Sequence, residues 1–159
     1  MGMPTARFTL EFYQSPDGDE PARRWMQKRL SAPQRRALGA ALRLILSVRG
    51  VGICGSEYGR HVGRGLFELR LDENEATLVH KSSPASAAPR PARSGDRILL
   101  RVFCHACGER IILLLGGYDK GADPSHRKQR LEIARARARL DDFLRRRSSE
   151  RDPLTAYLF

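Results

Sequence analysis

Lysine is scarce in a chain otherwise rich in cations. Of 29 basic side chains only Lys28, Lys81, Lys120 and Lys128 are lysines; the rest are arginines. A GC-rich genome would produce part of that bias. Cysteine is also scarce: Cys54, Cys104 and Cys107 are an odd number, which argues against a disulfide framework. No apolar run approaches the ~20 residues of a membrane span, so no membrane partner is expected. The start, Met1-Gly2-Met3-Pro4, lacks the basic and apolar regions of a secretory signal, and the cytoplasm is the expected location. No serine–histidine–acid signature and no paired-carboxylate pattern stands out. The four histidines, His61, His80, His105 and His126, are scattered.

What is present is positive charge. The net charge is +11 and the isoelectric point near 10.5. A solvated basic surface is the plain explanation. An anionic partner, nucleic acid above all, is the functional one. The 159 residues, 41% hydrophobic, suffice for one domain with a real core. The domain is expected over residues 1–147, with a tail over 148–159.

The pattern along the chain predicts an α+β fold. Phe8–Tyr13 alternates as a half-buried strand. Asp19 is placed to cap a helix with Pro21 in its first turn, burying Trp25, Met26 and Leu30. Ser31-Ala32-Pro33-Gln34 reads as a capping box for a second helix with Leu38, Ala41, Leu42, Ile45 and Leu46 inward, ended by Gly50. Residues 50–65 are Gly-rich, but no Gly-Lys-Ser/Thr closes a phosphate loop, and an ordinary loop is expected. Leu66–Leu71 puts Phe67, Leu69 and Leu71 on one face and Glu68 and Arg70 on the other. Ala76–Lys81 extends or pairs with that strand. Residues 82–96, rich in Ser, Ala, Pro and Arg, read as a disordered insert. Ile98–Cys104 is a strand whose apolar row Leu99–Phe103 is interrupted by Arg101. Arg110–Leu115 is the next, and Gly116–Gly121 is expected to leave the sheet. A long helix runs from Asp123-Pro124 to about Arg147, with Ile133, Ala136, Leu140, Phe143 and Leu144 as its stripe. It is strongly basic, with Arg127, Lys128, Arg130 and Arg135 as candidate RNA contacts. The apolar end Tyr157-Leu158-Phe159 is suited to docking on the core or on a partner.

Two features invite chemistry. Cys104-His105-Ala106-Cys107 resembles half a zinc site, but Cys54, His61, His80 and His126 lack motif spacing to complete it. A hairpin turn is the preferred reading there, and no metal or cofactor is expected. The stronger cluster is Arg70, Arg101, Tyr118 and Lys120, with Glu68 beside Arg70. Arginines seat phosphate through paired hydrogen bonds and stabilise charge on a phosphorane. Tyrosine and lysine move protons when their pKa values are shifted, and tyrosine stacks on bases. The bland alternative is a surface ion pair for Arg70 and a snorkelling side chain for Arg101.

Several segments together resemble the RelE/ParE superfamily of bacterial toxins, most closely its phage-derived, HigB-like branch. They are FTLEFY with DGDEPARRW, GRGLFELRL, LLRVFC, IILLLGGYDKGADP and EIARARARLDDF, in the family's order over most of Phe8–Phe143. The resemblance implies two N-terminal helices packed on a twisted antiparallel sheet of four to five strands, plus a C-terminal helix. It implies the toxin of a type II toxin–antitoxin pair: a ribosome-dependent mRNA endoribonuclease whose metal-independent cleavage uses the RNA 2′-OH. Its partners would be a helix-turn-helix antitoxin (HigA-like), the ribosome and mRNA. Arg101 matches the strand arginine at the scissile phosphate, Lys120 the basic residue after the last strand, Arg70 the arginine of the ELR strand, and Tyr118 the aromatic before the basic pair. Three features depart from the pattern. Asp119 stands where the family has a second lysine, residues 76–97 are longer than the usual turn, and a tail follows Arg147. The same fold also serves inhibitors of DNA gyrase, and Asp119 leaves open a weakened binding remnant.

Overall fold

The computed structural model describes residues 5–73 and 97–151. The predicted 76–81 strand, the 82–96 insert and the apolar end of the tail lie outside those residues. Within them the chain forms a five-stranded sheet and three helices. β1 (Thr9–Phe12) leads to α1 (Pro21–Lys28) and α2 (Ala32–Ala41), which continues through a π turn, Leu42–Leu46, and Ser47–Arg49. A 3₁₀ turn, Gly50–Ile53, precedes β2 (Gly59–Gly63), β3 (Leu66–Glu73), β4 (Ile98–Cys107) and β5 (Ile111–Asp119). α3 (His126–Arg151) closes the described chain.

Local chemistry explains most of these boundaries. Ser31 Oγ accepts from Gln34 N (3.3 Å) while Gln34 Oε1 accepts from Ser31 N (2.9 Å), so the capping box forms as its spacing predicts. Asp19 does not cap α1. Glu20 holds that position without a side-chain bond, and Asp19 instead pairs with Arg24 at 2.6 Å. The π turn widens α2 so that Leu42, Leu44, Ile45 and Leu46 are all buried and only Arg43 faces out. α3 starts at His126 rather than Asp123, with Ser125 Oγ accepting from Lys128 N at 3.1 Å. It runs one turn past Arg147, so residues expected in the tail are helical.

The strand order is β1-β5-β4-β3-β2. β2 to β5 form an antiparallel meander, whereas β1 pairs with β5 in parallel. The sheet is therefore mixed, not purely antiparallel as expected. Short turns set the antiparallel direction at β2–β3 and β4–β5; β1 is joined to the rest through the α1–α2 hairpin, which imposes no such constraint. β2 also corrects the loop expected over residues 50–65. Its hairpin with β3 turns through Arg64 and Gly65, both at positive φ (54° and 78°), the conformation that matches strand twist. The short strand is hidden in sequence because four of its five residues are glycine or exposed polar side chains.

The sheet is covered on both faces. One face carries Phe67, Leu69, Leu71, Leu100, Val102 and Leu114 against α1 and α2. The other carries a smaller cluster, Leu66, Phe103, Leu113, Leu115 and Tyr118, against Ala136 and Leu140 of α3. α3 packs on the Phe103 end of this second face; the other end holds Glu68 and Arg101, both buried, and Arg70, which is half-buried.

Candidate functional site

A single extra residue in β5 assembles the site. Cys104 pairs with Leu114 and Phe103 with Gly116, leaving Leu115 as a bulge. Because strand faces alternate, one inserted residue moves everything after it to the opposite face. Tyr118 thereby comes opposite Arg101 on β4, and Arg101 comes opposite Arg70 on β3. Three of the four candidate residues read from sequence stand in one row across three strands. Lys120 follows at the end of β5, where its backbone N donates to Leu99 O at 2.9 Å. The segment 116–119 stays in the sheet instead of leaving it, and this is why Tyr118 reaches the row.

Two like charges directly opposite each other are unfavourable in a sheet. Glu68, the neighbouring residue on the same face of β3, offsets them. It is 1% exposed, accepts from Arg60 Nε at 2.6 Å, and lies 4.0 Å from Arg70 Nε. Arg60 comes from β2 in register with Glu68, and it escaped the sequence reading because β2 did. Four cations, Arg60, Arg70, Arg101 and Lys120, thus surround one buried acid. Glu68 Oε2 has no hydrogen-bond partner among the described residues.

Burial tunes each group. Arg101 is 4% exposed, and desolvation lowers its pKa while Glu68 opposes the shift. One of its donors is spent on Leu100 O at 3.0 Å. Lys120 is shifted down, first by desolvation and then by the Arg101 charge. Tyr118 is shifted up, first by burial and then by Glu68. Its ring stacks on Phe103 with centroids 6.2 Å apart, and its hydroxyl finds no partner among the described residues. The row combines cations, a lysine whose pKa is lowered and a tyrosine whose pKa is raised. That set suits a singly charged phosphodiester and the doubly charged phosphorane formed from it, with proton-transfer groups beside it.

Asp119, the residue most at odds with a phosphate site, is engaged elsewhere. Its Oδ2 accepts from Gln34 Nε2 at 2.8 Å and its Oδ1 from Ala122 N at 3.1 Å. It fastens the turn after β5 to the start of α2, and its charge is satisfied there.

The four candidate contacts on α3 divide in two. Lys128 and Arg135 both pair with the buried Glu132, at 3.0 and 2.7 Å, and line a groove of about 730 Å³ between α1, the end of β5 and α3. Arg127 and Arg130 are exposed and do not line it. The Cys104–Cys107 pattern forms no turn; it is the end of β4, and Gly108, at φ 73°, makes the turn. Both thiols are buried, and burial raises that of Cys104 strongly. His105 Nδ1 bonds Gly65 O at 2.8 Å, while His61 and His126 are exposed. Among the described residues no group of three His, Cys, Asp or Glu side chains is placed to hold a metal. No described helix is long and apolar enough to cross a membrane. Neither a protein-family model nor a curated protein matches the sequence.

Proposed function

We propose that this chain is a RelE-like toxin of the HigB-like branch, which cuts mRNA on the ribosome and is held in check by a helix-turn-helix antitoxin in the cytoplasm. The observation that carries this reading is the cross-strand row Arg70–Arg101–Tyr118 with Lys120 beside it. The scissile phosphate sits on Arg101 and Arg70. The RNA 2′-oxygen attacks phosphorus and gives its proton to Lys120 in its deprotonated form, which desolvation and the neighbouring Arg101 charge make easier to reach. The P–O5′ bond breaks and the leaving oxygen takes a proton from Tyr118. The products are a cyclic phosphate and a 5′-OH. The arginines lower the barrier by meeting charge that grows on the non-bridging oxygens, an effect of about 10²–10³-fold per donor in preorganised sites.

A shifted-down lysine and a shifted-up tyrosine are the pairing that this division of roles requires at neutral pH. The engagement of Asp119 with Gln34 and Ala122 favours a working site over a weakened remnant. The test is primer extension on cellular mRNA after induction of the chain and of Arg101→Met. New 5′ ends with the parent chain, absent with the variant, are expected. Intact mRNA together with blocked gyrase supercoiling would replace this reading with a gyrase inhibitor.

A further inference from the structure

The groove beside β5 lies outside the Arg70–Arg101 row and has its own construction. β1 covers only the first half of β5, Ile111 to Leu114, and no strand among the described residues pairs with the edge beyond it. α1 lies along that edge on one side and α3 on the other. Gly117 allows the approach of α1: a Cβ there would fall 2.5 Å from Trp25 Cζ3 and 2.7 Å from Arg101 O. On the α3 side Arg139 donates to Leu115 O at 2.9 Å, which occupies a strand-edge carbonyl that would otherwise invite a pairing strand.

The lining is charged and one-sided. Arg24, Lys28, Arg29, Lys128, Arg135 and Arg139 contribute six cations against Asp119, Asp123 and Glu132. All three acids are already engaged within the fold: Asp119 with Gln34 and Ala122, Asp123 with Ser125 N at 3.1 Å, and Glu132 with Lys128 and Arg135. Lys28 and Arg29, at the end of α1, make no ion pair among the described residues and are exposed. The groove offers one partly exposed aromatic, Trp25; the rest of its apolar lining comes from Pro21, Ala122 and the stems of its cations. A docking protein helix requires a row of apolar anchors, and this groove has none. An aromatic platform with cations beside it is what single-stranded nucleic acid uses. Tyr118 supplies the second observation. The residue is 3% exposed, its hydroxyl is buried and unpartnered among the described residues, and it belongs to the groove lining as well as to the row.

We infer that this groove is a second RNA site, a track that takes the nucleotides flanking the scissile phosphate, with a base on Trp25 and phosphates on Lys28 and Arg29. It rests on the RNA reading of the row, since Tyr118 joins the two. The separation of duties follows: the row does chemistry, and the groove supplies affinity without reading sequence.

Trp25 is the one tryptophan of the chain, so its fluorescence reports the groove directly. The experiment titrates the full chain, Arg101→Met and the double variant Lys28→Glu/Arg29→Glu with a short oligouridylate, then with oligoglutamate. Oligouridylate should shift Trp25 emission in the parent chain and in Arg101→Met. In the double variant the affinity should fall about tenfold or more, and the salt slope by about 1.4, at ~0.7 per phosphate contact. Circular dichroism confirms that the double variant is folded; both substituted side chains are exposed. Binding that leaves Trp25 emission unchanged, or equal affinity and slope in the double variant, would overturn the track. A response to oligoglutamate but not oligouridylate would assign the groove to an acidic protein segment instead. Trp25 responds to occupancy and not to cutting. A chain that binds oligouridylate here yet creates no new mRNA ends therefore retires the nuclease and keeps the groove.

Discussion

The two faces of one sheet obey opposite rules. On the face under α1 and α2, the middle of β3 and β4 is aliphatic or aromatic and nearly dry: Phe67, Leu69, Leu71, Leu100 and Val102 are each about 1% exposed or less. On the other face the same strands present Glu68, Arg70, Arg101 and Phe103, and α3 covers only the end nearer Phe103. The first face contributes stability, at about 1.5–3 kcal/mol for each large side chain buried. The second tolerates an arginine opposite an arginine, which no stability argument favours. A sheet that keeps one face conventional and strains the other is using the first to hold the second in place.

The sharpest way to break this comparison is to strike each face separately. Phe67→Ala should cost about 3–5 kcal/mol of unfolding free energy in a urea titration, with the row left intact. Arg101→Met should reverse the pattern. Cutting should fall about 10²–10³-fold in primer extension, while stability holds or rises, because a desolvated guanidinium facing Arg70 is replaced by an apolar chain of similar length. A loss of stability in Arg101→Met as large as that in Phe67→Ala would mean that both faces are ordinary core.

Glu68→Gln sharpens the comparison from inside the charged face. The amide keeps the shape and removes the buried countercharge that Glu68 gives Arg60, Arg70 and Arg101. A loss of about 1–3 kcal/mol is expected, the range for a buried hydrogen-bonded group deprived of its charge. Inorganic phosphate should return much of it by binding where the carboxylate charge was. Thermal melts with and without phosphate make the measurement; a variant indifferent to phosphate would show that the row is not an anion seat.

Lys120→Met separates function from stability. The folded chain holds this lysine below its ordinary value of 10.5, mainly by desolvation. Between the folded and unfolded values the unfolded chain binds more protons, so stability rises with pH across that window. The variant, free of that cost, should be the more stable protein at neutral pH and should lose cutting. Its advantage should shrink as pH climbs toward 10.5. An advantage that grows with pH would reverse the sign of the Lys120 shift.

How legible this was in sequence depends on whether a residue's partner is local. The capping box at Ser31 and the alternating faces of β3 and β4 are short-range patterns, and both form as read. The bulge at Leu115 was not legible: Leu113-Leu114-Leu115 is apolar throughout, so nothing in its pattern marks where the face changes. The extension of β5 through Gly116 and Gly117 was hidden for a related reason. Glycine ordinarily weakens a strand, and here its use is to let Trp25 and Arg139 come close. Arg60 and the groove depend on partners far away in the chain, and Asp119 looked damaging only because Gln34 is 85 residues distant.

The smallest expected effect concerns the border between the covered and open halves of the second face. α3 is clasped to the sheet there by polar contacts more than by apolar area. Tyr13 Oη donates to Asp142 Oδ2 at 2.6 Å, Arg146 pairs with the same carboxylate at 2.8 Å, and its guanidinium lies 5.6 Å from the Tyr13 ring centre. The Tyr13 hydrogen bond is the main reason the Asp142 carboxyl is held below its ordinary value of 3.8. Stability from that group is therefore present above the ordinary carboxylate value and lost as pH falls through the folded one. Tyr13→Phe should cost about 1 kcal/mol at neutral pH, and the cost should disappear in acid as Asp142 protonates. Cutting should be unaffected, since the Tyr13 hydroxyl bonds Asp142 and no residue of the row. If the same substitution also lowers cutting, the clasp positions the open half as well, and the two halves of this face are coupled through α3.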